Sequence, residues 1–186
     1  MMKYFCKVCG MIINENNFRY NEEAFIEKNT IGDIKRCPFC GAKEEYIINK
    51  EEKFLNRKVG ELDQETNKIL DHAMKLEVFN GDFYRQASLI TEDIKLKEMF
   101  KALSNIEYMH ARIHMSLSGL KKLPKLKEMD YSKYNNDTIL VEMANKREIH
   151  AVEYYKKYYS DLCSDRIREV FDALSLVEKE HIELTK

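Results

Sequence analysis

The chain has 186 residues, of which 44% are hydrophobic and 34% charged, with a formal net charge of −1. That length suits one ordinary domain or a small one plus a medium one, with enough apolar content for a packed core. The balanced charge, with no long block of one sign, argues against nucleic acid and acidic membrane as partners, and no apolar run approaches the ~20 residues of a membrane span.

In chain order the first stretch, MMKYFCKVCG, has no signal-peptide apolar region and enters a cysteine motif at once, so a cytoplasmic protein is expected. In such a chain five cysteines point to metal or thiol chemistry rather than to structural disulfides. Four of them form two knuckles, Cys6-x-x-Cys9-Gly10 and Cys37-x-x-Cys40-Gly41, with 27 residues between Cys9 and Cys37. Each knuckle predicts a tight turn that brings two thiolates together, its glycine relieving the backbone where amides approach sulfur. Four converging thiolates make a tetrahedral site for iron or zinc. Residues 1–52 are therefore read as a small metal-binding module that the ion helps to fold. Residues 53–63 are read as a charged linker. Cys163 stands alone and reads as a turn or core thiol.

From residue 64 to 186 the sequence is helical in character. Apolar residues Ile69, Ala73, Leu76, Phe83, Ala87 and Ile90 recur at helical spacing and predict a helix over 64–90. Thr91-Glu92-Asp93 breaks the pattern and offers caps; a second helix then runs to about Ser118, with Gly119 as its stop. Leu120 to Asn136, with Pro124, is long enough for a crossover. A third helix is predicted from Thr138 to Asp161, capped by Asn136 or Asp137, and a fourth from Ser164 to near the C-terminus. Four long amphipathic helices in two pairs, joined by one long connection, describe a mainly α fold, a four-helix bundle of the ferritin-like kind.

The chemistry lies in a repeat. FKALSNIEYMH, Phe100 to His110, recurs 71 residues later as FDALSLVEKEH, Phe171 to His181. Each copy ends in Glu-x-x-His, Glu107 with His110 and Glu178 with His181. A Glu and a His three apart share one helix face and can reach one ion. Upstream lie Glu77 with Tyr84 and Glu148 with Tyr155, with 23 residues from Tyr to Glu in both halves. Four Glu and two His in a bundle core are the pattern of a two-metal carboxylate site suited to iron. Tyr84 and Tyr155 are placed to hydrogen-bond ligand carboxylates. His72 and His150 have no repeat partner, and His114, one turn past His110, is read as either a support for the site or a surface residue.

This set, fused to CKVCG and CPFCG, resembles the rubrerythrin family in its reverse-order form, with the rubredoxin-like module ahead of the bundle. The resemblance covers almost the whole chain. It implies a non-haem di-iron peroxidase that reduces hydrogen peroxide to water. Electrons would pass from NAD(P)H through a partner reductase to a rubredoxin-type iron held by Cys6, Cys9, Cys37 and Cys40, then to two irons bridged by Glu107 and Glu178. Glu77, Glu148, His110 and His181 would complete the ligation. A homodimer is also implied, in which one subunit's module can serve the other's di-iron site. Ala151 stands where many members carry an additional carboxylate, so ferroxidase or oxygen-reductase chemistry is a second reading. A non-enzymatic stress protein with a zinc ribbon is a third.

Overall fold

The structure, a computed structural model, describes residues 2–50 and 53–186; the boundary expected at residue 52 lies outside the described residues. Strands β1 (Lys3–Cys6), β2 (Ile12–Asn14) and β3 (Ile47–Ile48) form an antiparallel sheet in the order β2-β1-β3. Phe5 pairs with Ile12 on one side and Ile48 on the other, so β1 is the central strand, and its last residue, Cys6, opens the first knuckle. The two knuckles fold alike. Gly10 N–H donates to Cys6 O at 2.8 Å and Gly41 N–H to Cys37 O at 2.9 Å, with φ of 77° and 74° at the glycines. Phe54 and Leu55 are buried against this module: Leu55 N–H donates to Lys7 O and the Asn56 amide to Cys9 O, each at 2.8 Å.

The bundle follows as α1 (Gln64–Ile90), α2 (Ile94–Leu117), α3 (Asp137–Tyr158) and α4 (Asp165–Leu184). Asp63, Asp93 and Asn136 cap the first three, each side chain accepting a backbone N–H. After α2 the chain makes a Schellman turn, with Leu120 N–H on Met115 O, Gly119 N–H on Ser116 O, and Gly119 at φ 71°. The third helix ends earlier than the sequence suggests, its last turn tightening to 3-10 over Tyr159–Asp161. Ser164 precedes α4 with extended backbone, but its hydroxyl makes no capping bond. Cys163 is exposed in that turn, and its N–H donates to Thr66 Oγ1 at 2.9 Å, tying the turn to the start of α1. This is a ferritin-like four-helix bundle preceded by a rubredoxin-like module. No helix of the described residues is long and apolar enough to cross a membrane.

The module sits on the face made by α2 and α4. Lys7 pairs with Glu169 at 2.9 Å, Ile26 N–H donates to Glu180 Oε1 at 3.0 Å, and Arg36 pairs with Glu180 on the same helix. One hydrophobic core joins Val8, Ile13 and Ile34 of the module to Ile69, Ile113, Phe171 and Leu174 of the bundle. Gly41 is the tightest point of the seat. A Cβ there would lie 2.6 Å from Val177 Cγ1 and 3.3 Å from Phe25, at a backbone angle that L side chains resist. Gly41→Ala is expected to cost about 2–4 kcal/mol from left-handed strain and overpacking together. Urea unfolding measures the loss, and adding Val177→Ala should recover the overpacking share.

Candidate metal centres

At the knuckles the sulfurs of Cys6 and Cys40, and those of Cys9 and Cys37, lie 3.6 Å apart, and all four are buried and free. A tetrahedron with metal–sulfur bonds of about 2.3 Å has sulfur–sulfur edges of about 3.8 Å, so the spacing suits an ion and not a disulfide. Burial pushes the Cys9 and Cys40 thiols well up, whereas Cys6, although burial opposes it, is drawn well down by hydrogen bonds from Cys37, Cys40 and Cys9. A thiolate facing thiols that resist ionisation is a cluster that a cation completes. The site can hold one iron or one zinc.

In the bundle, Glu77 comes from α1, Glu107 and His110 from α2, Glu148 from α3, and Glu178 and His181 from α4, and none of the six is exposed to solvent. They fall into two overlapping groups, Glu77, Glu107, His110 and Glu178, then Glu107, Glu148, Glu178 and His181, with ligand atoms within 4.8 Å of one another in each. Glu107 and Glu178 belong to both. Glu178 spans the pair: Oε1 lies 2.8 Å from His110 Nδ1, and Oε2 lies 3.1 Å from His181 Nδ1. Both imidazoles therefore turn Nδ1 inward.

Two tyrosines close the cage crosswise. The Tyr84 hydroxyl, on α1, donates to Glu148 of α3, and that of Tyr155, on α3, donates to Glu77 of α1. Each half of the repeat thus holds the other half's carboxylate. Burial, then the facing carboxylate, raises both phenols well above their usual range and keeps them protonated. His114 is wholly buried, which removes the surface reading, and its Nε2 lies 2.8 Å from Tyr155 Oη. Since Tyr155 gives its proton to Glu77, His114 Nε2–H donates to the phenol. Burial, then His110, lowers His114 to about 3, so it is neutral. Its repeat mate is Thr185, which explains why internal symmetry could not find it. His72 and His150 are exposed and lie outside the cage, His72 stacking on Tyr154 with ring centres 4.9 Å apart.

The donor set calls for cations. Burial and the neighbouring carboxylates push Glu107 and Glu148 up to about 8 and Glu77 well above its usual range. Glu178 moves the other way: burial raises it, but His110 and His181 outweigh that and pull it down. For His181 burial acts downward, and Glu107, Glu148 and Glu178 carry it well up. Both Glu107 oxygens and one oxygen each of Glu77, Glu148 and Glu178 have no hydrogen-bond partner. Among the described residues their charged neighbours are the two histidines, with no lysine or arginine in reach. Four buried carboxylates with free oxygens and inward nitrogens fit two metal ions, which would take up the charge that protons otherwise neutralise.

A pH dependence follows for the metal-free protein. The raised Glu107 and Glu148 bind protons in the folded state that the unfolded chain releases above its usual carboxylate range. That contribution is fully present below about pH 4.5 and is lost as pH rises through about 8. The metal-free melting temperature is expected to fall by more than ~5 °C between pH 5 and pH 8. Calorimetry checks this, and saturation with metal should abolish the trend.

Two features were missed in the sequence. One is a backbone atom: His110 Nε2–H donates to the carbonyl of Cys40 at 2.9 Å, joining a ligand of one centre to a ligand of the other. No side-chain motif encodes a carbonyl. The other is Asn80, three residues after Glu77 on α1, buried with both amide atoms unpartnered. Its repeat mate is Ala151, also wholly buried, so the place of the additional carboxylate expected on α3 is empty while a polar group stands at the matching place on α1.

Comparison with curated proteins and with solved structures gave no match. Residues 68–186, more than half of the chain, match the family model described as Rubrerythrin. That span holds all six Glu and His of the cage and the whole of α2, α3 and α4. With the two-metal cage and the four-cysteine cluster on its doorstep, the chain belongs to the rubrerythrin family, whose members are generally oxidoreductases.

Proposed function

We propose that the chain reduces hydrogen peroxide to water at the Glu/His cage, with electrons delivered through the four-cysteine centre. The observation that carries this reading is the Cys40–His110 hydrogen bond of 2.9 Å. From Cys40 Sγ the covalent path runs through Cβ, Cα and the carbonyl, then across one hydrogen bond into the imidazole. Two ions of iron in the cage would supply the two electrons that cleavage of the O–O bond consumes. Glu107 and Glu178, which belong to both ligand groups, would serve both ions, Glu77 with His110 would complete one, and Glu148 with His181 would complete the other. Tyr84 and Tyr155 fix the outer carboxylates and hold two hydroxyl protons at Glu148 and Glu77. Full burial of all six ligands keeps water out and the geometry rigid.

The electrons come from NAD(P)H through a separate cytoplasmic reductase. The seat of the module on its own bundle puts both centres in register within one chain, and a homodimer is compatible with that path. Oxygen or ferrous iron as substrate is the second reading, favoured by Ala151, which leaves the cage without a further carboxylate. To separate them, anaerobically reduced, iron-replete protein is mixed with hydrogen peroxide or with oxygen in a stopped-flow instrument. Reoxidation at least tenfold faster with peroxide is expected; faster reaction with oxygen would overturn the assignment. Once reoxidised, the same sample is red if the cysteine centre holds iron, whose ferric tetrathiolate absorbs in the visible, and colourless there if it holds zinc.

A further inference from the structure

On the face opposite the cysteine module, α1 and α3 flank a groove of about 570 Å³. Repeat-related residues line it from both helices, Lys75 with Lys146, His72 with Met143 and Phe79 with His150, so the groove follows the internal symmetry of the cage. Its walls are largely apolar, with Leu76, Phe79, Leu126 and Met143. Its cations are Lys75, Lys146 and Arg147, and among the described residues no acidic side chain lines it. The Arg147 guanidinium lies 4.5 Å over the Phe79 ring and donates to Tyr131 Oη at 3.0 Å, while its buried Nε has no partner.

Asn80 belongs to this wall and is 1% exposed, with neither its amide nitrogen nor its amide oxygen partnered. A buried amide left so is destabilising, and a ligand offering one acceptor and one donor would relieve that penalty. A hydroperoxide group offers both: the amide N–H donates to a peroxy oxygen, and the O–O–H proton goes to the amide oxygen. Glu77 lies one turn back along α1, so a group held by Asn80 is beside the cage. Hydrogen peroxide alone does not require such a groove. A water occupies about 30 Å³ of liquid and hydrogen peroxide is one oxygen larger, whereas this volume lies in the range of sites for drug-sized molecules.

We infer that the groove between α1 and α3 is a substrate site for an anionic, apolar organic hydroperoxide, of the fatty-acid hydroperoxide class. Its carboxylate lies at Lys146 and Arg147, its chain along Leu76, Phe79 and Met143, and its hydroperoxide at Asn80. The reaction is ROOH + 2 H⁺ + 2 e⁻ → ROH + H₂O: the O–O bond breaks, the substrate is reduced to the alcohol, and the electrons come from the donor that feeds the cysteine centre. This inference rests on the peroxidase reading above and names a further substrate for it.

The test uses iron-replete full-length protein with linoleic acid hydroperoxide, hydrogen peroxide and, as a probe that cannot be reduced, dodecanoate. The wild type is expected to turn over the lipid hydroperoxide. Asn80→Leu and Lys146→Glu should each lower the ratio of its kcat/KM to that of hydrogen peroxide by tenfold or more. Calorimetry should show dodecanoate binding that Lys146→Glu weakens about tenfold. Turnover of hydrogen peroxide with no turnover of the lipid hydroperoxide would overturn the inference and leave the peroxidase reading intact. Dodecanoate binding indifferent to Lys146→Glu, or dodecanoate splitting a dimer closed over the groove, would also overturn it. If neither peroxide is reduced, both readings fall.

Discussion

Replacing Glu107 with glutamine is expected to remove the bundle's metal and to lower peroxide turnover at least ~100-fold. Outer hydrogen-bond partners of metal ligands already cost 10–100-fold when lost, and Glu107 belongs to both ligand groups. The amide keeps the shape of the side chain but is uncharged and a poor ligand. Metal analysis should show fewer than two ions per bundle. Stability should move the other way. In the metal-free wild type Glu107 is wholly buried beside Glu178, Glu148 and Glu77, with both oxygens unpartnered. Removing one ionisable carboxyl from that cluster relieves repulsion, so metal-free Glu107→Gln should melt at or above the wild-type temperature at pH 8. Metal should then stabilise the variant far less than the wild type. Retention of full peroxide turnover would sink the assignment of this cage.

Cys37→Ser is expected to have the second large effect, and a different one. The module has three short strands and shares its apolar core with the bundle, and four thiolates are the means of holding its two knuckles together. Apparent binding energies of tetrahedral thiolate-rich sites are about 10–16 kcal/mol in zinc-finger peptides, and losing one thiolate forfeits much of that. The visible absorption of an iron-filled centre should vanish, and limited proteolysis should cut within residues 15–35. Steady-state turnover driven by the reductase should be lost. The cage is built from α1 to α4 alone, so chemically reduced variant should still consume peroxide in a single turnover. Unimpaired steady-state turnover would show that electrons do not pass through the cysteines.

Much of the fold was legible because it is written in local patterns. Asp63, Asp93 and Asn136 cap their helices where the apolar periodicity begins, and Gly119 stops α2 with a positive φ that glycine alone adopts freely. At Glu77 the periodicity runs through a carboxylate: Leu76, expected in the core, is only partly buried and lines the groove, while Glu77 is sealed inside. A stripe of hydrophobic residues that includes Glu at the same offset in two halves is the mark of a cage, since a charge is buried only where a counter-ion offsets it.

The sequence by itself determined which side chains meet. Helical geometry turns a three-residue interval into one shared face, and a 71-residue repeat turns one such face into two. The two cysteine knuckles are equally local, each closed by its own glycine. Tertiary structure alone decided how these sets interlock. It crossed Tyr84 to Glu148 and Tyr155 to Glu77, set buried His114 behind Tyr155, and placed Glu178 between two imidazoles. It also laid the module on α2 and α4, so that the Cys40 carbonyl meets His110 and the groove with Asn80 is left open between α1 and α3. Those outcomes depend on which helix faces pack together across the bundle, and packing between segments dozens of residues apart leaves no periodicity in the chain.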